Sequence, residues 1–125
     1  MSNQSVTSSV KWGPAQAHSI PADIINLLKK QARAPDEEKE IHLAYLKLFT
    51  PDANCRWWVS EWHEEGDDVH LFGFADLGLG QGCAELGYTS LRELMTIRGG
   101  LGLPMERDLY YDPMLLSEVV AKNGR

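Results

Sequence analysis

An α+β domain is the expected architecture: an antiparallel sheet of about four to five strands with short helices packed on one face. Three observations predict it. The run Arg56–Trp62 is dense in aromatic and branched side chains that fit a pleated surface. The polar, glycine-centred stretch Glu64-Glu65-Gly66-Asp67-Asp68 then has the length that joins antiparallel neighbours, and an apolar run, Leu71–Phe74, follows it. Helix signals elsewhere are short: a proline opening, a capping box and a terminal apolar stripe.

Residues 1–18 read as a flexible tail ahead of a single domain over 19–125. From Met1 to Ala17 only Val6, Val10 and Trp12 are available for burial, so ordering the stretch costs more chain entropy than burial returns, Trp12 docking excepted. After Ser19-Ile20-Pro21 the residues Ile24, Leu27 and Leu28 recur at helical spacing. Lys29, Lys30 and Arg33 complement the helix dipole near its end, before Pro35. Asp36–Glu40 is a solvated linker or a helical extension.

Ala44–Thr50 is a strand closed by the turn Pro51-Asp52-Ala53-Asn54. A hairpin centred on Gly66 sets Trp58 opposite Phe74, Ser60 opposite Phe72 and Trp62 opposite His70. One face then gathers Trp58, Trp62, Phe72 and Phe74, and the other carries Trp57, Val59, Glu61 and Leu71. Slipping by one residue would split the tryptophans from the phenylalanines, which burial disfavours.

From Leu71 to Tyr88 the chain reads as a buried strand, a glycine-rich bend and a second strand over Ala84–Thr89, with Asp76 and Glu85 at the turning points. Ser90-Leu91-Arg92-Glu93 is a capping box ahead of Leu94, Met95 and Ile97, and Gly99-Gly100 ends that helix. Leu101–Pro104 is a loop. Met105–Tyr111 alternates as a strand, and its three consecutive charges place it at an edge. Asp112-Pro113 supplies a cap and a first-turn proline for a last helix that buries Leu116, Val119 and Val120.

With 125 residues, 43% of them hydrophobic, the chain builds one core without metals or disulfides. A formal net charge of −6 argues against a grip on phosphate backbones, so nucleic acid is an unlikely partner and a protein with a basic surface is favoured. Cys55 and Cys83 are too far apart for a metal knuckle and read as reduced thiols. Together with the absence of an apolar run of about 18 residues, they point to a cytoplasmic protein without a membrane span.

Gly78-Leu79-Gly80-Gln81-Gly82 resembles a phosphate loop only superficially, because a strand follows it rather than a helix and no Walker lysine is present. His42, His63 and His70 lack the spacing of a helical zinc site, although His63 and His70 can meet across the hairpin base. No cofactor and no metal are expected. The acids Asp76, Glu85, Glu106 and Asp108, with Arg107 and Tyr88, are the one constellation able to support chemistry: two carboxylates in a partly dry cleft have their pKa values driven apart and serve as acid and base. The bland reading pairs Arg107 with one acid and leaves the others capping turns.

Lys47-Leu48-Phe49-Thr50-Pro51, Trp57, Glu61, Leu71-Phe72-Gly73, Asp76-Leu77-Gly78, Glu85-Leu86-Gly87-Tyr88, Ser90-Leu91, Arg98-Gly99 and Glu106-Arg107-Asp108 together resemble a bacterial domain-of-unknown-function family, number 2958. Its members are small proteins met on plasmids, phages and integrated elements. The resemblance runs from about Leu46 to Tyr111 and supplies context rather than an activity. Small acidic proteins of mobile elements are often inhibitors of host defence, such as anti-CRISPR proteins or nucleic-acid mimics. The first expectation is therefore a non-enzymatic partner-binding protein that uses Glu37, Glu38, Glu64, Glu65, Asp67, Asp68 and Trp57. The alternative is a small enzyme or metal-dependent binder built on the acidic constellation with Arg107. A third reading, a nucleic-acid regulator, would use Lys29, Lys30 and Arg33.

Overall fold

Alternation along Arg56–Glu65 commits the central strand to two buried faces, and everything else is arranged on it. The computed structural model describes residues 8–78 and 84–124. Its main sheet is antiparallel and five-stranded, in the order β7-β6-β5-β4-β8. Here β4 is Leu46–Phe49, β5 Arg56–Glu65, β6 Asp68–Asp76, β7 Ala84–Ser90 and β8 Glu106–Arg107. Two small pairs flank it: β1 (Val10–Lys11) with β2 (Ser19–Ile20), and β3 (Leu43–Ala44) with β9 (Met114–Leu115). The helices are α1 (Ala22–Ala32), α2 (Leu91–Thr96) and α3 (Leu116–Asn123).

The α+β class and the five-stranded antiparallel sheet agree with the sequence reading, while the helices divide between the faces. Leu46, Leu48, Trp57, Val59, Trp62 and Leu71 pack with Ile25 and Leu28 of α1 and Leu91 and Leu94 of α2. Trp58 and Phe74 pack with Leu116 and Val119 of α3 on the other side. The physical reason is that β5 carries tryptophans on both faces, and neither face can be left to water.

Trp58 does lie opposite Phe74. Beyond it the register shifts, because Ser60 forms a bulge and Glu61 pairs with Phe72, Trp62 with Leu71 and His63 with His70. Trp62 therefore joins Trp57 and Val59, and Glu61 takes the place expected for Trp62 on the Trp58 face. The bulge is held from outside the hairpin: Gln31 Nε2 donates to the carbonyls of Ser60 (2.7 Å) and Leu43 (2.9 Å), and Leu43 N donates to Gln31 Oε1 (2.9 Å). Gly66, at φ +63°, makes the tight turn between Glu65 and Asp68.

Other boundaries shift by local chemistry. The strand expected over Ala44–Thr50 divides into β3 and β4 around Tyr45. α1 buries Ile25 and Leu28 and leaves Leu27 exposed. The Ser90 hydroxyl caps α2 by accepting from Glu93 N, as the capping box predicts, but the helix stops at Thr96, before the glycines. The edge strand shrinks to Glu106–Arg107. Met114–Leu115 is extended against β3, so α3 starts at Leu116 and is capped by Glu118 Oε1 accepting from Leu115 N, not by Asp112. Of the stretch expected as a tail, the first seven residues lie outside the described ones. Trp12 Nε1 donates to Met105 O at 2.7 Å.

Candidate functional site

Where β4, the start of β5 and the end of β6 come together, the sheet opens into a cavity of about 580 Å³ lined by Lys47, Phe49, Thr50, Cys55, Arg56, Asp76 and Asp108. The ladder positions its charges. Arg56 and Asp76 are register partners, and Nη2 lies 2.5 Å from Oδ2. Lys47 Nζ lies 3.5 Å from Asp108 Oδ2, while Asp108 N donates to Lys47 O. Both cations flank the Trp58 ring, at 5.4 and 5.0 Å from its centroid.

Gly78 N, donating to Asp76 Oδ1 at 2.9 Å, and the Arg56 guanidinium hold the Asp76 carboxyl below its ordinary value of 3.8, against the opposing effect of burial. An acid kept ionised by a cation and a backbone N–H is a poor proton carrier near neutrality. The cavity is thus a charge-paired rim over an aromatic floor, suited to binding. Because the folded-state value is depressed, the stabilisation is present above about pH 4 and is lost as pH falls through it. An NMR titration is expected to place the Asp76 midpoint below 3.8, moving upward in Arg56→Ala. A midpoint at or above that value would refute the pairing.

Of the six residues singled out for chemistry, the structure gathers only Asp76 and Asp108 in this cavity. Glu85 and Tyr88 stand on β7 and Glu106 and Arg107 on β8, the two opposite edges of the sheet, with three strands between them. Arg107 Nε donates to Ser19 O at 2.7 Å, and burial lowers the guanidinium pKa. Tyr88 packs tilted against Phe72 and edge-on to His63, at 5.0 and 5.5 Å between centroids.

Three of the six expected partner-binding acids are engaged within the chain. Glu64 pairs with Lys29 at 3.2 Å, Asp67 with Arg92 at 2.9 Å, and Asp68 accepts from Ser90 Oγ and Arg92 N. Glu37, Glu38 and Glu65 are exposed. Trp57 is only 4% exposed and belongs to the core rather than to any contact surface. Lys29, Lys30 and Arg33 line a shallow cavity beside Glu64 and Glu65, so the basic residues face acids. The glycine bend at 79–83, with Cys83, lies outside the described residues.

Two features escaped the sequence reading. One is Glu61, 1% exposed, whose Oε1 lies 2.7 Å from His63 Nε2 and whose Oε2 lies 3.3 Å from Nδ1 of the buried His42. The Glu61-x-His63 spacing, which puts both side chains on one face of a strand, was the available signal. Among the described residues no group of three or more His, Cys, Asp or Glu side chains is placed to hold a metal.

The other is the loop after α2. Asp52 Oδ2 accepts from Leu101 N (2.8 Å) and Leu103 N (3.2 Å), and a Cβ on Gly99 would lie 1.9 Å from Asp52 Oδ1. This anchored loop turns Leu101 to water at 81% exposure, and across β8 Tyr110 stands 94% exposed.

These features define a small α+β domain that carries paired charges, an anchored loop and projecting apolar side chains. A family model described as a protein of unknown function (DUF2958) matches residues 20–123, and the chain belongs to that family. No curated protein and no solved structure matches the chain. None of its described helices is long and apolar enough to cross a membrane.

Proposed function

We propose that this is a non-enzymatic protein that binds a protein partner through the β8 side of the sheet. One observation carries the reading: the loop tethered by Asp52 holds Leu101 outward ahead of β8, and Tyr110 protrudes beyond the other end of that strand, so two exposed apolar side chains flank it. The net charge of −6, with Glu37, Glu38 and Glu65 exposed, favours a basic partner surface. Within that class the reading extends to an inhibitor of host defence carried by a mobile element, of the anti-CRISPR or nucleic-acid-mimic kind, supported by the charge and the family resemblance. The free thiol of Cys55 suits a cytoplasmic setting.

An enzyme built on Asp76, Glu85, Glu106, Asp108, Arg107 and Tyr88 would need those groups within about a hydrogen bond or one water of a shared point. Their distribution over both sheet edges favours binding instead.

The test is affinity capture from the native host with the intact protein and with Leu101→Asp/Tyr110→Ser. The double variant is expected to lose the captured polypeptide at least about tenfold while its thermal unfolding is unchanged. Charge reversal at Glu37, Glu38, Glu64 and Glu65 is expected to weaken the same complex most at low salt. Equal capture by the Leu101/Tyr110 variant would overturn the proposed surface, and salt-independent capture by the charge-reversed protein would overturn the basic partner.

A further inference from the structure

We infer that the outer edge of β7 pairs with β7 of a second copy of this chain, antiparallel about a two-fold axis at Gly87. The two edges of the main sheet are unlike. β8 is blunted by being two residues long and carrying Glu106 and Arg107. β7 runs seven residues, Ala84-Glu85-Leu86-Gly87-Tyr88-Thr89-Ser90, with one charge, no proline and no strand on its outer side among the described residues. Native edges are normally protected by short length, charge, proline or a bulge. This one presents a row of outward backbone donors and acceptors with no strand partner among the described residues, beside Leu86 and Tyr88, which are 48% and 59% exposed. The β6–β7 ladder is continuous from Ala84 to Ser90, so the edge is regular enough to accept another strand.

A second copy is the occupant because the strand is complementary to itself. Centred on Gly87, the register sets Leu86 against the partner's Tyr88, Glu85 against the partner's Thr89 and Ala84 against the partner's Ser90. All seven residues are paired, and the apolar side chains meet on the face shared with Phe72 and Phe74. No like charges face one another. At the axis Gly87 meets Gly87, and the space beside it is open, since a Cβ built there finds no atom within 4 Å. Centring on Leu86 or Tyr88 instead shortens the paired length and carries one copy's strand into the turn or helix of the other. The result is a ten-stranded sheet running through the dimer. The inference is independent of the proposed partner, which uses the β8 side, so either can fail without the other.

The experiment is sedimentation equilibrium of the intact protein over a wide concentration range. The expected species is a dimer of twice 14.0 kDa in equilibrium with monomer. Thr89→Glu places a carboxylate opposite the partner's Glu85 twice per dimer and is expected to raise the dissociation constant about tenfold. Adding Glu85→Lys to it converts both contacts to opposite charges and is expected to restore the dimer, whereas Glu85→Lys alone leaves dimerisation near its original strength. Circular dichroism of each variant separates lost association from lost fold, and the rescue keeps the test decisive if Thr89→Glu alone is unstable. A monomer at every concentration, a dimer indifferent to Thr89→Glu, or a weakened dimer that Glu85→Lys does not rescue would each overturn the inference.

Discussion

Replacing Glu61 by alanine is expected to lower the free energy of unfolding by about 3–5 kcal/mol, the upper range for removing the central member of a buried polar cluster. The carboxylate is 1% exposed and sits between two imidazoles, 2.7 Å from His63 Nε2 and 3.3 Å from His42 Nδ1. Its removal strands His42, 4% exposed, whose Nε2 already has no hydrogen-bond partner. Domains of this size hold about 5–15 kcal/mol in total, so the variant sits near the folding threshold. His63→Ala should cost less, about 1.5–3 kcal/mol, because His63 is 28% exposed and water can replace it. Urea midpoints at constant slope measure both losses. A loss below about 1 kcal/mol for Glu61→Ala would show that the carboxylate is not an anchor of this face.

The second large effect falls on Gly73. Alanine there would bring its Cβ to 1.8 Å from the carbonyl oxygen of Trp58 and 2.9 Å from Val59 Cα, both backbone atoms in the centre of the sheet. No side-chain rotation relieves such a contact, so β5 and β6 must separate next to the Ser60 bulge. The expected cost is about 3 kcal/mol, at the upper end for overpacking. Its ladder partner Gly87 supplies the control, because a Cβ there meets nothing within 4 Å. Gly87→Ala should leave stability within about 0.5 kcal/mol, as for surface positions without special constraints. Equal melting of the two variants would contradict the close approach of the strands at Gly73.

How much of this was legible follows the range of each signal. Aromatic and branched density located β5, and Gly66 located its turn, because both are local properties. The pairing of Trp58 with Phe74 followed from counting outward from that turn, and the same count sets Arg56 against Asp76. Counting failed on the turn side of Ser60, where Glu65 pairs with Asp68 and Trp62 with Leu71, and came right only past the bulge, which depends on something that satisfies the displaced carbonyl. That group is Gln31, far away in sequence on α1. The same shift concealed the burial of Glu61, which an unbroken alternation sends to the other face.

The acidic constellation was assembled from sequence without knowledge of strand order. Asp76 and Asp108 line one cavity because β5 and β4 bring Arg56 and Lys47 between them, each paired with one of the two acids. Glu85 and Glu106 stay apart on the two opposite edges of the sheet. The cap at Ser90 was readable from four residues, whereas the start of α3 was not. Met114–Leu115 is drawn into an extended form by β3, a partner no local window contains.

The placement of β8 and β9 has a consequence for how the chain acquires its shape on the ribosome. The β5–β6–β7 meander needs only neighbouring segments and can form while synthesis continues. β4 and β3, made earlier, must wait for Glu106–Arg107 and Met114–Leu115 to emerge before their outer sides are covered. Closure of those long loops comes before any contact rewards it, so this assembly step waits on the emergence of Met114–Leu115. Until then, the nascent domain exposes a bare strand margin to whatever chaperone attends the exit tunnel.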